Sequence, residues 1–196
     1  FDEVISGFRV APGGAQEYYG VTPDMATFGK AIANGFPLSA VAARADIMET
    51  TRPGGKVGYA GLYNGSQSSL AAASASLSIL KTGDAQRELG EKTQRLVKGF
   101  EEMAEDLGVT ARLQGFAGQF QVYFTDREVS DYRTAAAADA KKFAVFQQSL
   151  LKQRIYSLPL PLFHHGTTLA HTDEDIDTIL GAMENALREV KTASSV

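Results

Sequence analysis

Residues 27–41 read TFGKAIANGFPLSAV and carry one charge, Lys30, among apolar and small side chains. Lysine is almost never fully buried without a partner or a task. Burial disfavours the ammonium form and lowers its pKa, and a neutral amine is the nucleophile that a Schiff base needs. Lys30 therefore reads either as a reactive amine or as a surface lysine where a helix starts. The stretch FDEVI, residues 1–5, has the same ambiguity. It reads as the end of a buried strand, and a carboxylate there, Asp2, can act on a ligand beyond the carboxyl ends of an open α/β sheet. It can equally start a loop or cap a helix.

Outward from these two stretches, Pro12, Gly13, Gly14, Gly20 and Pro23 make residues 11–24 turn-rich. Gly35 and Pro37 break the chain before LSAVAA, a strand of small residues, and a short helix is expected over residues 45–49. YNGSQSS supplies turn and N-cap residues ahead of LAAASASLSILK, a helix whose Ala and Ser residues let another backbone approach closely. Leu89, Leu96, Phe100, Met103 and Leu107 form one apolar stripe of a long helix. VTARL and QFQVYF alternate with period two and read as half-buried strands. Phe143, Phe146, Leu150 and Leu151 mark a further helix. RIYSLPL reads as a strand ended by prolines. Thr172 and Asp175 have capping-box spacing before a helix carrying Ile176, Ile179, Leu180, Met183, Leu187 and Val190, and the tail KTASSV is expected to fray. The division expected is residues 1–81, part of an α/β domain; 82–107, a linking helix; and 108–196, a small α+β domain.

At 44% hydrophobic and 21% charged, the composition is that of an ordinary globular protein. A net charge of −4 without a basic patch argues against nucleic acid. No apolar run is long enough to span a bilayer, and a cytoplasmic location is expected. The absence of cysteine excludes disulfides and thiolate chemistry. His164, His165 and His171 read as loop or structural residues, and no metal is expected. The sequence opens in what reads as the end of a strand, so a piece of a longer protein is expected, with an N-terminal half that another chain could supply.

The block from FDEVISGFRV to AVAARADIM resembles the class III aminotransferases, enzymes of pyridoxal 5′-phosphate on the fold-type-I scaffold, and within them the glutamate-1-semialdehyde aminomutase group. YAGLYNGSQSSLAAASASL is similar to that family's phosphate loop and helix, and residues 123–161 together with LAHTDEDIDTIL are similar to its C-terminal domain. The resemblance implies a partial large domain, its mostly parallel sheet flanked by helices on both faces, plus the small domain. It implies Lys30 as the Schiff-base lysine, Asp2 as the partner of the pyridine nitrogen, Val4 against a face of the ring, and Gly61 and Leu62 near a phosphate held by the neighbouring subunit of a homodimer. The activity implied is transfer of an amino group between an amine or amino acid and a keto acid or aldehyde. The alternatives are an intramolecular aminomutase and a non-catalytic half-protein that pairs with a separate N-terminal half. Two departures stand out. Leu62 replaces a threonine whose hydroxyl usually reaches the phosphate, and Phe163 or His164 occupies the region where the aminomutase carries a glutamate.

Overall fold

The computed structural model describes residues 1–58 and 60–193. Tyr59, at the head of the expected phosphate loop, and residues 194–196 of the tail lie outside the described residues. The fold is mixed α/β, in two compact units, Phe1–Arg87 and Glu88–Val196.

In the first unit, β1 (Asp2–Glu3), β2 (Met25–Phe28) and β3 (Ala40–Ala43) form one sheet in that order. β1 runs parallel to β2, whereas β3 is antiparallel to it. Between β2 and β3 the chain turns through a 3-10 segment, Lys30–Ile32, in which Ala33 N and Asn34 N both donate to the Lys30 carbonyl at 3.3 and 2.9 Å. The turn-rich stretch hides a helix, α1 (Gly14–Tyr19). Its first-turn N–H groups at Ala15 and Gln16 donate to the Glu3 carboxylate at 3.0 and 2.9 Å, and Gly20 in the left-handed region closes it. The expected helix over 45–49 is α2 (Ala45–Met48), continued by one 3-10 turn. α3 (Gln67–Leu80) buries Ser69 and Ala73, and Ala73 packs with Ile32 and Ala33 of the turn after β2. Ala73 thus serves a close approach within this unit. Leu70 and Ile79 stay exposed on other faces.

The division between the units falls within α4 (Asp84–Leu107). In the second unit, Leu96, Phe100 and Ala104 of that helix meet Phe143, Phe146 and Leu150 of α6 (Ala140–Lys152) and Ile176, Met183, Leu187 and Val190 of α7 (Asp173–Ala193). Leu113 of β4 (Arg112–Phe116) and Phe120 and Val122 of β5 (Gln119–Tyr123) complete this core. Thr172 and Asp175 exchange the two bonds of a capping box, at 2.8 and 3.2 Å, ahead of α7. Lys191, Thr192 and Ala193, expected to fray, are still helical. A short helix that sequence reading missed, α5 (Tyr132–Ala136), starts at a capping box between Asp131 and Thr134.

RIYSLPL is not a strand. Arg154 N donates to Leu151 O and Ile155 N to Leu150 O, both at 3.0 Å, the paired bonds of a Schellman closure at the end of α6. Gln147 Nε2 takes the Ser157 carbonyl at 2.7 Å. The backbone of this segment is thus committed to closing the helix, and the third strand of the sheet is instead β6 (His165–Gly166), antiparallel to β5. Arg154 holds the position that glycine usually fills, with φ +64°. A side chain in that conformation costs about 1–2 kcal/mol, and the guanidinium forms no ion pair among the described residues. Arg154→Gly should therefore stabilise the second unit by about 1 kcal/mol, read as a higher urea midpoint. A lower midpoint would show that the arginine side chain contributes more than its backbone strain costs.

Candidate functional site

The parallel register sets Asp2 opposite Thr27 and Glu3 opposite Phe28. Lys30 follows two residues after the end of β2, and Asp2, which opens the two-residue β1, stands opposite Thr27, three positions before it. Asp2 Oδ1 accepts the Val4 N–H at 3.0 Å and the Thr27 hydroxyl at 3.3 Å. Its second oxygen makes no bond among the described residues, and the side chain faces solvent. Val4 is half-buried, and its Cγ1 lies 3.2 Å from where a Cβ on Gly29 would stand. A Cβ there would crowd Val4.

Lys30 has φ +44°, a left-handed conformation that costs a residue other than glycine about 1–3 kcal/mol and concentrates at functional sites. The side chain is exposed, and its Nζ has no partner among the described residues. The apolar enclosure expected from the local sequence is absent: Ala31 is buried and Ile32 and Ala33 turn inward against Ala73 of α3, leaving Lys30 outside. Gly61 and Leu62 lie in successive turns before α3, closed by Asn64 N donating to Gly61 O at 3.1 Å and Ser66 N to Tyr63 O at 3.0 Å. Leu62 is 92% exposed. No described bond joins Gly61 or Leu62 to Asp2 or Lys30. Asp2 and Val4 thus lie against Thr27 and Gly29, the strand end and residue that lead into Lys30, and no described bond ties the loop to them.

Glu3 escaped sequence reading. It is fully buried, accepts the Ser6 hydroxyl as well as the two α1 amides, and sits where a Cβ on Gly14 would lie 2.8 Å from each of its carboxylate oxygens. Burial works against its ionised form, but the bonds from Ser6, Ala15 and Gln16 outweigh it and hold the carboxyl below its ordinary value. The signal that could have found it is the Gly13-Gly14 pair.

Three histidines of the second unit border a separate cavity of about 450 Å³, floored by Leu150, Ile179 and Met183. His165 Nε2 and Ser157 Oγ are hydrogen-bonded at 2.5 Å, but His165 Nδ1 is buried with no partner among the described residues. Without an orienting carboxylate the pair lacks the third member of a nucleophilic triad. His171 Nδ1 accepts the Thr168 N–H at 3.0 Å, a structural turn. Burial, with the neighbouring His164 adding to it, lowers the His165 pKa. The folded imidazole resists protonation, so below its ordinary value of about 6.5 the unfolded chain binds the extra proton and the second unit loses stability. Asp175, His164, His171 and Arg154 border the same cavity and are present in parent and variant alike. His165→Gln should flatten the fall in urea midpoint between about pH 7 and pH 5.5; an equal fall in both proteins would remove His165 as its source. No group of three or more His, Asp or Glu among the described residues is placed to hold a metal ion, and no described helix is long and apolar enough to cross a membrane.

Comparison with known proteins gives the class. The aminotransferase class-III family model matches residues 1–187, and the chain belongs to that family. The cofactor of the family is pyridoxal 5′-phosphate. The glutamate-1-semialdehyde 2,1-aminomutase of Nitrosopumilus maritimus is 40% identical over 195 residues, 97% of this chain and 46% of that protein. A β-phenylalanine aminotransferase from Variovorax paradoxus superposes with a TM-score of 0.85 at 30% identity, over 94% of this chain and 43% of that one. An omega-transaminase from Sphaerobacter thermophilus gives 0.84 at 26% identity, over 97% and 44%. The chain therefore spans less than half the length of these relatives.

Proposed function

We propose that the chain carries the lysine-bearing part of the active site of an aminotransferase that moves an amino group between an amine or amino acid and a keto acid or aldehyde. The observation that carries this reading is the β1/β2 register, which sets a carboxylate with one free oxygen opposite Thr27, three residues before a partnerless lysine. The donor set fits pyridoxal phosphate, because the free Asp2 oxygen can accept a ring N–H and the Lys30 amine can bond a carbonyl carbon. Bound there, the cofactor supplies an electron sink for a bond at the substrate's reacting carbon.

The chain's own residues do the rest. Lys30 would hold the cofactor through Nζ and, once free, would move a proton at the substrate carbon as a general base and acid. Asp2 would hold the proton on the ring nitrogen, Val4 would face the ring, and the backbone N–H groups of Gly61 and Leu62 would serve the phosphate of a second subunit in a homodimer. The Leu62 side chain has no hydroxyl for that phosphate, and a hydrogen bond to a charged group is worth about 1.5–3 kcal/mol. Sedimentation of the intact protein should give a dimer, and a fully active monomer would refute the two-subunit site. The reading includes a cytoplasmic location.

The names of the relatives favour a second reading, an intramolecular aminomutase. Product analysis separates the two. An aminotransferase consumes an amine donor only in step with an added keto acceptor. Isomerisation of one substrate with no acceptor present would establish the mutase instead.

A further inference from the structure

We infer that Glu3 is a positioning residue that fixes Asp2 and Val4 by anchoring the end of β1 from behind. The inference rests on the reading of Asp2 given above. Glu3 lies between the two residues in sequence and is fully buried. Its carboxylate is held at three points: the Ser6 hydroxyl, Ala15 N at 3.0 Å and Gln16 N at 2.9 Å. Its carbonyl accepts Gly7 N at 2.8 Å. The N–H of that same peptide, Val4 N, donates the 3.0 Å bond to Asp2 Oδ1. The peptide that aims Asp2 is thus held at its carbonyl by Gly7 N, and the Glu3 side chain behind it by the first turn of α1. All donors to the Glu3 side chain are N–H or O–H groups, so the position requires an acceptor-only group. The carboxyl is held ionised by those same bonds.

The space is equally specific. Gly14 has φ +78°, and a Cβ there would lie 2.8 Å from each carboxylate oxygen. The clamp can therefore be disturbed from either side. Glu3→Gln keeps the size but turns an N–H₂ toward one of the donors. Gly14→Ala keeps the charge but pushes the carboxylate away.

The test has two arms, in the intact protein. Without cofactor, exchange of the Val4 amide reads its bond to Asp2. Both variants should speed that exchange about tenfold, the scale of a lost hydrogen bond to a charged group. Leu187→Ala, which opens the core of the second unit, should leave it unchanged. With pyridoxal phosphate labelled at the ring nitrogen, nitrogen NMR of the parent should show a protonated ring. Glu3→Gln and Gly14→Ala should both shift the signal toward the neutral ring and weaken cofactor binding about ten- to a hundredfold, the range seen when the group behind a ligating side chain is lost. Leu187→Ala should do neither. Unchanged Val4 exchange in both variants overturns the inference. A neutral ring nitrogen in the parent, with Val4 exchange still accelerated in the variants, overturns the role of Asp2 and leaves the clamp standing.

Discussion

Lys30→Ala in the intact protein should abolish covalent attachment of pyridoxal phosphate and lower transamination by about 10⁴-fold or more, the upper range for loss of a positioned proton-transfer group. Lys30→Arg should be no better, because a guanidinium stays protonated and cannot act as a nucleophile or base. The size of the effect follows from two tasks placed on one nitrogen: attachment of the cofactor, and proton movement at the substrate carbon. Neither variant should disturb the fold. The side chain is exposed and has no partner among the described residues, and Lys30→Gly would in addition relieve a backbone held at φ +44°. Cofactor absorbance with turnover of an amine donor checks the first part and thermal unfolding the second. Turnover within tenfold of the parent in Lys30→Ala would remove the lysine from the chemistry.

Asp2→Asn is the second large effect. The substitution is isosteric and can preserve the bonds from Val4 and Thr27 to Oδ1. What it removes is the negative charge that holds a proton on the ring nitrogen. Loss of one preorganised electrostatic partner costs about 10²–10³-fold in rate, and the loss should fall on the proton-abstraction step. The cofactor should still attach to Lys30, so the protein keeps its colour while turnover collapses. Single-turnover mixing with an amine donor checks this. A near-normal rate, or a loss of colour equal to that of Lys30→Ala, would each contradict the assigned role.

Asp2 and Lys30 are singled out in the sequence only by the resemblance of the stretches around them; taken alone, Asp2 reads equally as a loop acid and Lys30 as a surface lysine. Glu3 is not singled out, because its partners Ala15 and Gln16 are brought to it by the fold, and nothing in a buried acid's own neighbourhood announces who will satisfy it. The same cause hid α1. Its glycines read as turns, and the helix depends on a capping side chain supplied from β1. Arg154 misled in another way. A glycine after α6 would have marked the helix end, whereas the arginine let RIYSLPL pass for a strand, and the true edge strand, His165–Gly166, is too short for any period to show. The apolar stripe of α7 was read correctly, and those of α4 and α6 except at Leu89, which lies outside the core cluster, and Leu151, which is exposed. Ile32 and Ala33, the apolar neighbours of Lys30 in sequence, turn toward Ala73 of α3.

The most direct measurement is reductive trapping. The intact protein is loaded with pyridoxal phosphate, reduced with borohydride and digested, and the modified peptide is sequenced. The account predicts a single pyridoxyl-lysine, at Lys30, in the peptide beginning after Arg9 or Lys30's nearest upstream cleavage site and containing TFGKAIANGFPLSAV. A label on any other lysine, or none on a protein that nevertheless turns over an amine donor, would contradict it.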